Sequence, residues 1–153
     1  MTKNERRRTS PFCLAVGGFD PSGGAGVLAD VAAIAAAGAR PLAAVTTLTV
    51  QTHRAFREAR PVTPRLLDLQ LELLLDTYAP VAVKNGAMPA AAHVRRTALR
   101  LAGRGLRLVV DPVLGATPVP GLVGQDVARE LVRSLLPLAA LVTPNVGEAA
   151  ALA

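Results

Sequence analysis

Aromatic side chains are nearly missing from this sequence of 153 residues, which has three phenylalanines, one tyrosine and no tryptophan. A core built on large rings is thereby excluded, and so is a surface of stacked aromatics for binding single-stranded nucleic acid. Cysteine is scarcer still. The lone Cys13 excludes an internal disulfide framework and a cysteine-rich zinc site, and it points to a reducing, cytoplasmic setting. Among its apolar neighbours, Cys13 reads as an ordinary buried strand residue. No stretch approaches the ~18 uninterrupted apolar residues of a membrane helix. The run from Phe12 to Val16 ends in Gly17-Gly18, far too soon for the apolar region of a secretory signal. No membrane partner is expected.

The formal charge of +6 looks suited to nucleic acid, but it is concentrated at one end. Lys3, Arg6, Arg7 and Arg8 against Glu5 supply +3 of it within the first ten residues. The remainder is weakly basic and has no basic stripe, so no nucleic-acid partner is expected. Residues 1–10 read as a disordered basic tail, and residues 11–153 as one domain. Ala, Leu and Val dominate that domain, and its core must come from many small aliphatic contacts.

Apolar runs alternate with amphipathic stretches. Phe12 to Gly17 predicts a buried strand, and the loop Gly18 to Gly24 opens a helix running to about Ala37, where Gly38 can end it. Leu42 to Leu48 predicts a second strand. Pro64 starts a helix to Thr77 lined by Leu66, Leu67, Leu69, Leu71, Leu73, Leu74 and Leu75. Strand Val81 to Lys84, helix Pro89 to Ala102, strand Leu106 to Asp111, helix Val123 to Leu136 and strand Leu138 to Thr143 complete the pattern. Strands that are apolar throughout, alternating with helices, predict a three-layer, doubly wound α/β fold with a mainly parallel sheet of about five strands. The chain ends a few residues into a helix beginning near Val146, which reads as a truncated domain. An unpaired sheet edge would invite another chain to pair with it.

In such sheets, ligands bind beyond the carboxyl ends of the strands. The first of those loops is G-G-F-D-P-S-G-G-A-G, Gly17 to Gly26. Its glycines permit close backbone approach, and the helix it opens offers free amides. It does not match the G-x-x-x-x-G-K-[ST] phosphate loop, and the downstream acid of a dinucleotide fingerprint is missing. Read alone, it is a glycine-rich turn.

The combination is more specific. The G-x-D-P-S-G-G-A-G loop is followed by Asp30 on the next helix, T-x-Q-T at Thr49 to Thr52 and K-x-G at Lys84 to Gly86. V-V-D-P-V-L at Val109 to Leu114 and T-P-N-x-x-E at Thr143 to Glu148 come after these. In order and spacing this set resembles the hydroxymethylpyrimidine / phosphomethylpyrimidine kinase family, over nearly everything after Pro11. The resemblance implies a ribokinase-like fold. It also implies transfer of the γ-phosphate of ATP, with Mg2+, to a pyrimidine precursor of thiamine, as the free alcohol, its monophosphate or both.

Residue by residue, the resemblance assigns pyrimidine recognition to Gln51, whose planar amide offers a donor and an acceptor to an aminopyrimidine edge. The bland alternative is a solvent-facing loop glutamine. Asp20 and the Gly23-Gly24 backbone would shape the pocket around the hydroxymethyl group, with Asp30 supporting the same wall; Asp20 could equally be an Asx-turn residue before Pro21. Val113 would contact the ring. Asp111 would face the phosphate and metal region, or else anchor a loop. Asn145 and Glu148 would organise magnesium near the triphosphate, with Glu148 the metal residue, against the alternative of an acid capping its helix. Lys84 could be a buried or a site-facing cation. His53 and His93 lack paired ligands at metal spacing and read as surface residues.

The family continues into a G-T-G-C or G-T-G-D anion hole and much of its adenine pocket, neither of which occurs in these 153 residues, so no catalytic residue is assigned. Asn85 and Ala87 replace the apolar pair that usually flanks the glycine after the lysine, and Pro118 to Gly121 replaces an A-x-S-G-D-like loop. The expected partners are the small pyrimidine substrate and either a homodimer mate or a complementing chain. The competing reading is a pyrimidine-binding or regulatory remnant without turnover.

Overall fold

Apolar runs short enough to cross a sheet once, separated by leucine- and alanine-rich helices, leave the chain few ways to bury its side chains other than a layered α/β arrangement. The computed structural model of the protein describes residues 10–115 and 126–153. The basic tail up to residue 9, the Pro118 to Gly121 loop and the expected helix start at Val123 lie outside the described residues. The elements are β1 (Phe12–Phe19), α1 (Gly26–Ala36), β2 (Arg40–Thr52), β3 (Ala55–Pro61), α2 (Pro64–Tyr78), β4 (Ala82–Asn85), α3 (Ala91–Leu101) and β5 (Arg107–Val110). Then come α4 (Val127–Glu130), prolonged by a π turn over Leu131–Leu135 and a 3-10 turn over Leu136–Leu138, β6 (Ala139–Val142) and α5 (Val146–Leu152).

The six strands are ordered β3-β2-β1-β4-β5-β6, and every neighbouring pair is parallel except β2 with β3. The sheet thus has one strand more than the five expected, an antiparallel edge strand that hairpins back from an unexpectedly long β2. Its turn, His53-Arg54, contains no glycine or asparagine, and neither residue has a positive φ. The Thr52 hydroxyl closes it instead, accepting the amides of Arg54 (3.3 Å) and Ala55 (3.2 Å). Before β3 begins, α2 takes over as the partner of β2. The side-chain amide of Gln70 accepts from Val45 N at 3.0 Å and donates to Val45 O at 3.1 Å, as a neighbouring strand would.

The two faces of the sheet are unequally covered. Leu14, Val16, Ala44, Val83, Leu108 and Val110 project to one side and form a continuous core with Leu67, Leu71 and Leu75 of α2, Val94 and Ala98 of α3, and Val127, Leu131 and Leu135 of α4 and its extension. Each fully buried leucine contributes about 1.5–3 kcal/mol. Only the i, i+4, i+8 leucines of α2 are buried; Leu66, Leu69 and Leu73 are exposed, so that helix is less fully lined than its sequence implied. On the opposite face, where Ala15, Lys84, Val109 and Leu141 lie in register, α1 is the only helix packed on β1 and β2 among the described residues, and Leu141 is 54% exposed.

Two polar details depart from expectation. His93 is buried, not superficial, because α3 turns it toward the segment before α2, where its Nε2 donates to the Val62 carbonyl at 2.8 Å. Cys13 does lie in a strand, but on the thinly covered face, and is only half-buried. Helices α2 and α3 are tied by Arg100, which forks onto Asp68 (2.8 and 2.7 Å) and reaches Glu72 at 3.1 Å.

The hydrogen bonds from Arg100 hold the Asp68 carboxyl below the usual aspartate range, against the opposing effect of burial. A lowered carboxyl pKa stabilises the fold fully above the ordinary value, and that contribution is lost as pH falls through the lowered one. Arg100→Gln should therefore unfold at a lower temperature than the parent at neutral pH, and the gap should close as the solution is acidified toward about pH 2. A gap that stayed constant in thermal melts across that series would refute the linkage.

Candidate functional site

The sheet reverses its strand order around β1, with β2 added on one side and β4 on the other, and the carboxyl ends of these strands open onto a cavity of about 300 Å³. Its walls come from four places: Gly17 and Gly18 at the end of β1, with Asp20 just after it; Ala25, Gly26 and Asp30 at the start of α1; Thr47, Thr49, Gln51 and Phe56 on the β2-β3 hairpin; and Lys84 in β4 with Gly86 and Ala87 after it, and Asp111 and Val113 after β5.

The glycine loop is shaped by one close approach. Gly26 has φ +60°, and a Cβ on it would stand 2.1 Å from the Gly18 carbonyl oxygen, so only glycine lets α1 begin this near β1. Within the loop, Asp20 is buried and accepts from the Ser22 amide at 2.8 Å and the Ser22 hydroxyl at 2.7 Å, an Asx turn. Burial pushes its carboxyl up, but the Ser22 hydroxyl and amide, the Ala25 amide and the Gln51 side chain together outweigh this and hold it below the usual range. Asp20 is therefore both turn residue and cavity wall.

Gln51 lies on β2, not in a loop. Thr47, Thr49 and Gln51 are spaced by two and share the face of the strand that meets the cavity. Thr49 is fixed by donating to the Phe19 carbonyl at 2.8 Å. Phe56, opposite Gln51 in the hairpin, closes the wall with one of the chain's few rings. Sequence reasoning missed Phe56 along with β3: Ala55–Pro61 is charged, and its turn lacks the residues that usually announce a hairpin.

Across the cavity, Lys84 Nζ sits 3.1 Å from Asp30 Oδ2 and 3.3 Å from Asp111 Oδ2, linking α1, β4 and the end of β5. Lys84 is thus site-facing. Gly86 makes room for it, since a Cβ there would lie 3.1 Å from Nζ. Asp111 is held in place by its own amide, which donates to Asn85 O at 2.8 Å and prolongs the sheet ladder by one residue.

Of the residues assigned from sequence, Asp20, Asp30, Gln51, Asp111 and Val113 converge on the cavity, whereas Gly23, Gly24, Asn145 and Glu148 do not line it. Gly23 and Gly24 form the outer turn. Asn145 and Glu148 make a capping box for α5: Asn145 Oδ1 accepts the Glu148 amide, and Glu148 Oε2 accepts the Asn145 amide, each at 2.9 Å. The other Glu148 oxygen accepts the Leu114 amide at 3.3 Å, so the pair fixes the backbone beside Val113.

A sheet of this order with its cavity at the strand reversal is the architecture of ribokinase-like small-molecule kinases, and solved structures of that class superpose on it. They include phosphomethylpyrimidine kinase of Clostridium difficile (28% identical, TM-score 0.84, covering 92% of this chain and 63% of that one). Another is the pyridoxal kinase of Staphylococcus aureus in complex with AMP-PCP and pyridoxal (27% identical, TM-score 0.79, covering 94% and 51%). The phosphomethylpyrimidine kinase family matches residues 20–153, and the chain belongs to that family. Curated relatives include the hydroxymethylpyrimidine/phosphomethylpyrimidine kinase of Rhizobium meliloti, 34% identical over 91% of this chain and 52% of the relative. The chloroplastic thiamine biosynthetic bifunctional enzyme of Arabidopsis thaliana is 35% identical over 99% of this chain and 29% of its own length. The chain thus spans about half the length of the bacterial relative and less of the plant one.

The close approach at Gly26 gives a direct expectation. Gly26→Ala should destabilise the fold by more than about 2 kcal/mol, since it adds both a backbone clash and an unfavourable φ. Gly24→Ala, whose Cβ would meet only ordinary contacts at 3.6 Å, should change stability by less than about 1 kcal/mol. Urea unfolding of both variants checks the pair.

Proposed function

We propose that these residues form the pyrimidine-binding half of an ATP-dependent kinase. It would phosphorylate 4-amino-5-hydroxymethyl-2-methylpyrimidine, its monophosphate or both in thiamine biosynthesis, in the reducing cytoplasm that suits a lone cysteine. The observation that carries this is the convergence of Gln51, Asp20, Asp30, Asp111 and Val113 on one cavity at the strand reversal. No helix among the described residues is long and apolar enough to cross a membrane.

Each group has work to do in that reading. Gln51 presents an amide to the aminopyrimidine edge, and its contact with Asp20 orients it. Phe56 and Val113 supply apolar contact to the faces of the ring. Asp20, kept anionic by its turn, accepts a hydrogen bond from the substrate hydroxymethyl group and aligns it. Lys84 offsets the charge of Asp30 and Asp111, leaving the wall with one excess negative charge from that trio.

ATP and Mg2+ belong to the proposal for the whole kinase. The donor set here does not fit a directly held magnesium ion: both Glu148 oxygens are engaged by backbone amides, and no cluster of three His, Cys, Asp or Glu side chains among the described residues could hold a metal. Asn145 and Glu148 contribute by fixing the segment beside Val113. These 153 residues contain no G-T-G-C-like segment. The assay below also tests a second reading, a pyrimidine-binding or regulatory chain without turnover of its own.

Isothermal calorimetry with hydroxymethylpyrimidine, run beside an ADP-release assay, separates the outcomes. The chain should bind the pyrimidine, and Gln51→Ala should weaken binding about tenfold, equivalent to ~1.4 kcal/mol. Binding without ADP release is the outcome for a pyrimidine-binding half that lacks its anion hole as well as for the second reading, ADP release excludes the second reading, and no binding by the parent chain sinks both.

A further inference from the structure

One polar atom in the wall of the cavity is left without work. Thr47 is 1% exposed, and its Oγ1 has no hydrogen-bond partner, although its strand neighbour in the same row, Thr49, is satisfied by Phe19. A buried hydroxyl without a partner is costly, and natural folds rarely keep one without a use. Its methyl Cγ2 is the atom turned over Gly18, 3.2 Å from where a Gly18 Cβ would stand. A turn of about 120° about χ1 carries Oγ1 into the place of the methyl over Gly18, itself part of the cavity wall, and moves the methyl to the place of Hβ. The missing side chain of Gly18 provides the space.

Thr47 and Gln51 stand four residues apart on one face of β2, about 13 Å along the strand. Much of that span is filled by a substituted six-membered ring with a hydrogen bond of about 2.9 Å at each end. We propose that Thr47 is a specificity-determining residue. On binding, its hydroxyl turns over Gly18 and hydrogen-bonds the ring edge opposite the one read by Gln51, so the pocket selects heteroaromatic rings with polar atoms on two edges. This rests on the pyrimidine reading above and adds a second point of recognition to it. A ring with C–H in place of nitrogen at that edge leaves the hydroxyl unpaired and binds more weakly for that reason.

The test is calorimetry on the purified chain with two probes: hydroxymethylpyrimidine, and its benzene counterpart in which both ring nitrogens are replaced by CH. Thr47→Val should weaken the pyrimidine about tenfold and the benzene analogue by less than about twofold, while Thr47→Ser keeps the parent's preference. The thermal midpoint of ligand-free Thr47→Val should equal or exceed the parent's, since an unpaired hydroxyl has been removed. Undiminished pyrimidine binding by Thr47→Val, with Gln51→Ala still impaired, overturns the role of Thr47 and leaves the pyrimidine reading standing. Equal losses for both probes, or a lower midpoint in both Thr47→Val and Thr47→Ser, would show a packing role instead and likewise overturn it. If the parent chain binds neither probe, the pyrimidine reading falls and the role of Thr47 with it.

Discussion

On the thinly covered face of the sheet, α1 is held by two contacts of opposite character: the backbone of Gly26 against Gly18, and the ion pair from Asp30 to Lys84. Without the first, the glycine loop could not bring Asp20 under the hairpin. The second ties the middle of α1 to β4 through a charged pair. Because Lys84 also reaches Asp111, one ammonium group registers α1, β4 and the end of β5 against each other, and the cavity lies among these three and β2. The same group tempers the charge of the site. Three carboxylates line the cavity against a single lysine, a balance that draws cations and hydrogen-bond donors inward.

This arrangement separates fold stability from site chemistry. The large aliphatic core, with its leucines at i, i+4 and i+8 on α2 and the Arg100 fork between α2 and α3, lies wholly on the other face. On β4 the two-residue repeat separates the roles, with Val83 in the core and Lys84 in the cavity wall. Neither Thr47 nor Gln51 is a member of that aliphatic core.

The parallel strands and their helices were legible in the sequence because buried parallel strands are apolar on both faces and helices carry the 3.6 period. The β2-β3 hairpin was not. β3 is an edge strand with Arg57, Glu58 and Arg60 in seven residues, and Thr52 closes the turn with a side chain where glycine would normally serve. His93 was misplaced for a related reason: its partner is a backbone carbonyl 31 residues away, and no local pattern encodes such a contact. In the site, the motifs located Asp20, Asp30, Gln51, Asp111 and Val113. Phe56 and Thr47 escaped notice, one because its strand was invisible, the other because an unpaired hydroxyl is a property of three-dimensional surroundings.

The bond pair between Gln70 and Val45 has a consequence for motion. A side-chain amide on α2 seals β2 at the point where β3 leaves off, so the edge strand can fray from its free end without unzipping the ladder beneath it. Local opening of this kind stays within the hairpin. Thr47 and Leu48 are paired to β1 as well as to β3, whereas Thr49 to Thr52 are paired to β3 alone, so the hairpin beyond Leu48 is the part that opens most readily. Gln51 and Phe56 ride on the part that opens and Thr47 marks its base, so parting of the hairpin widens the mouth of the cavity while the strands beneath it stay paired.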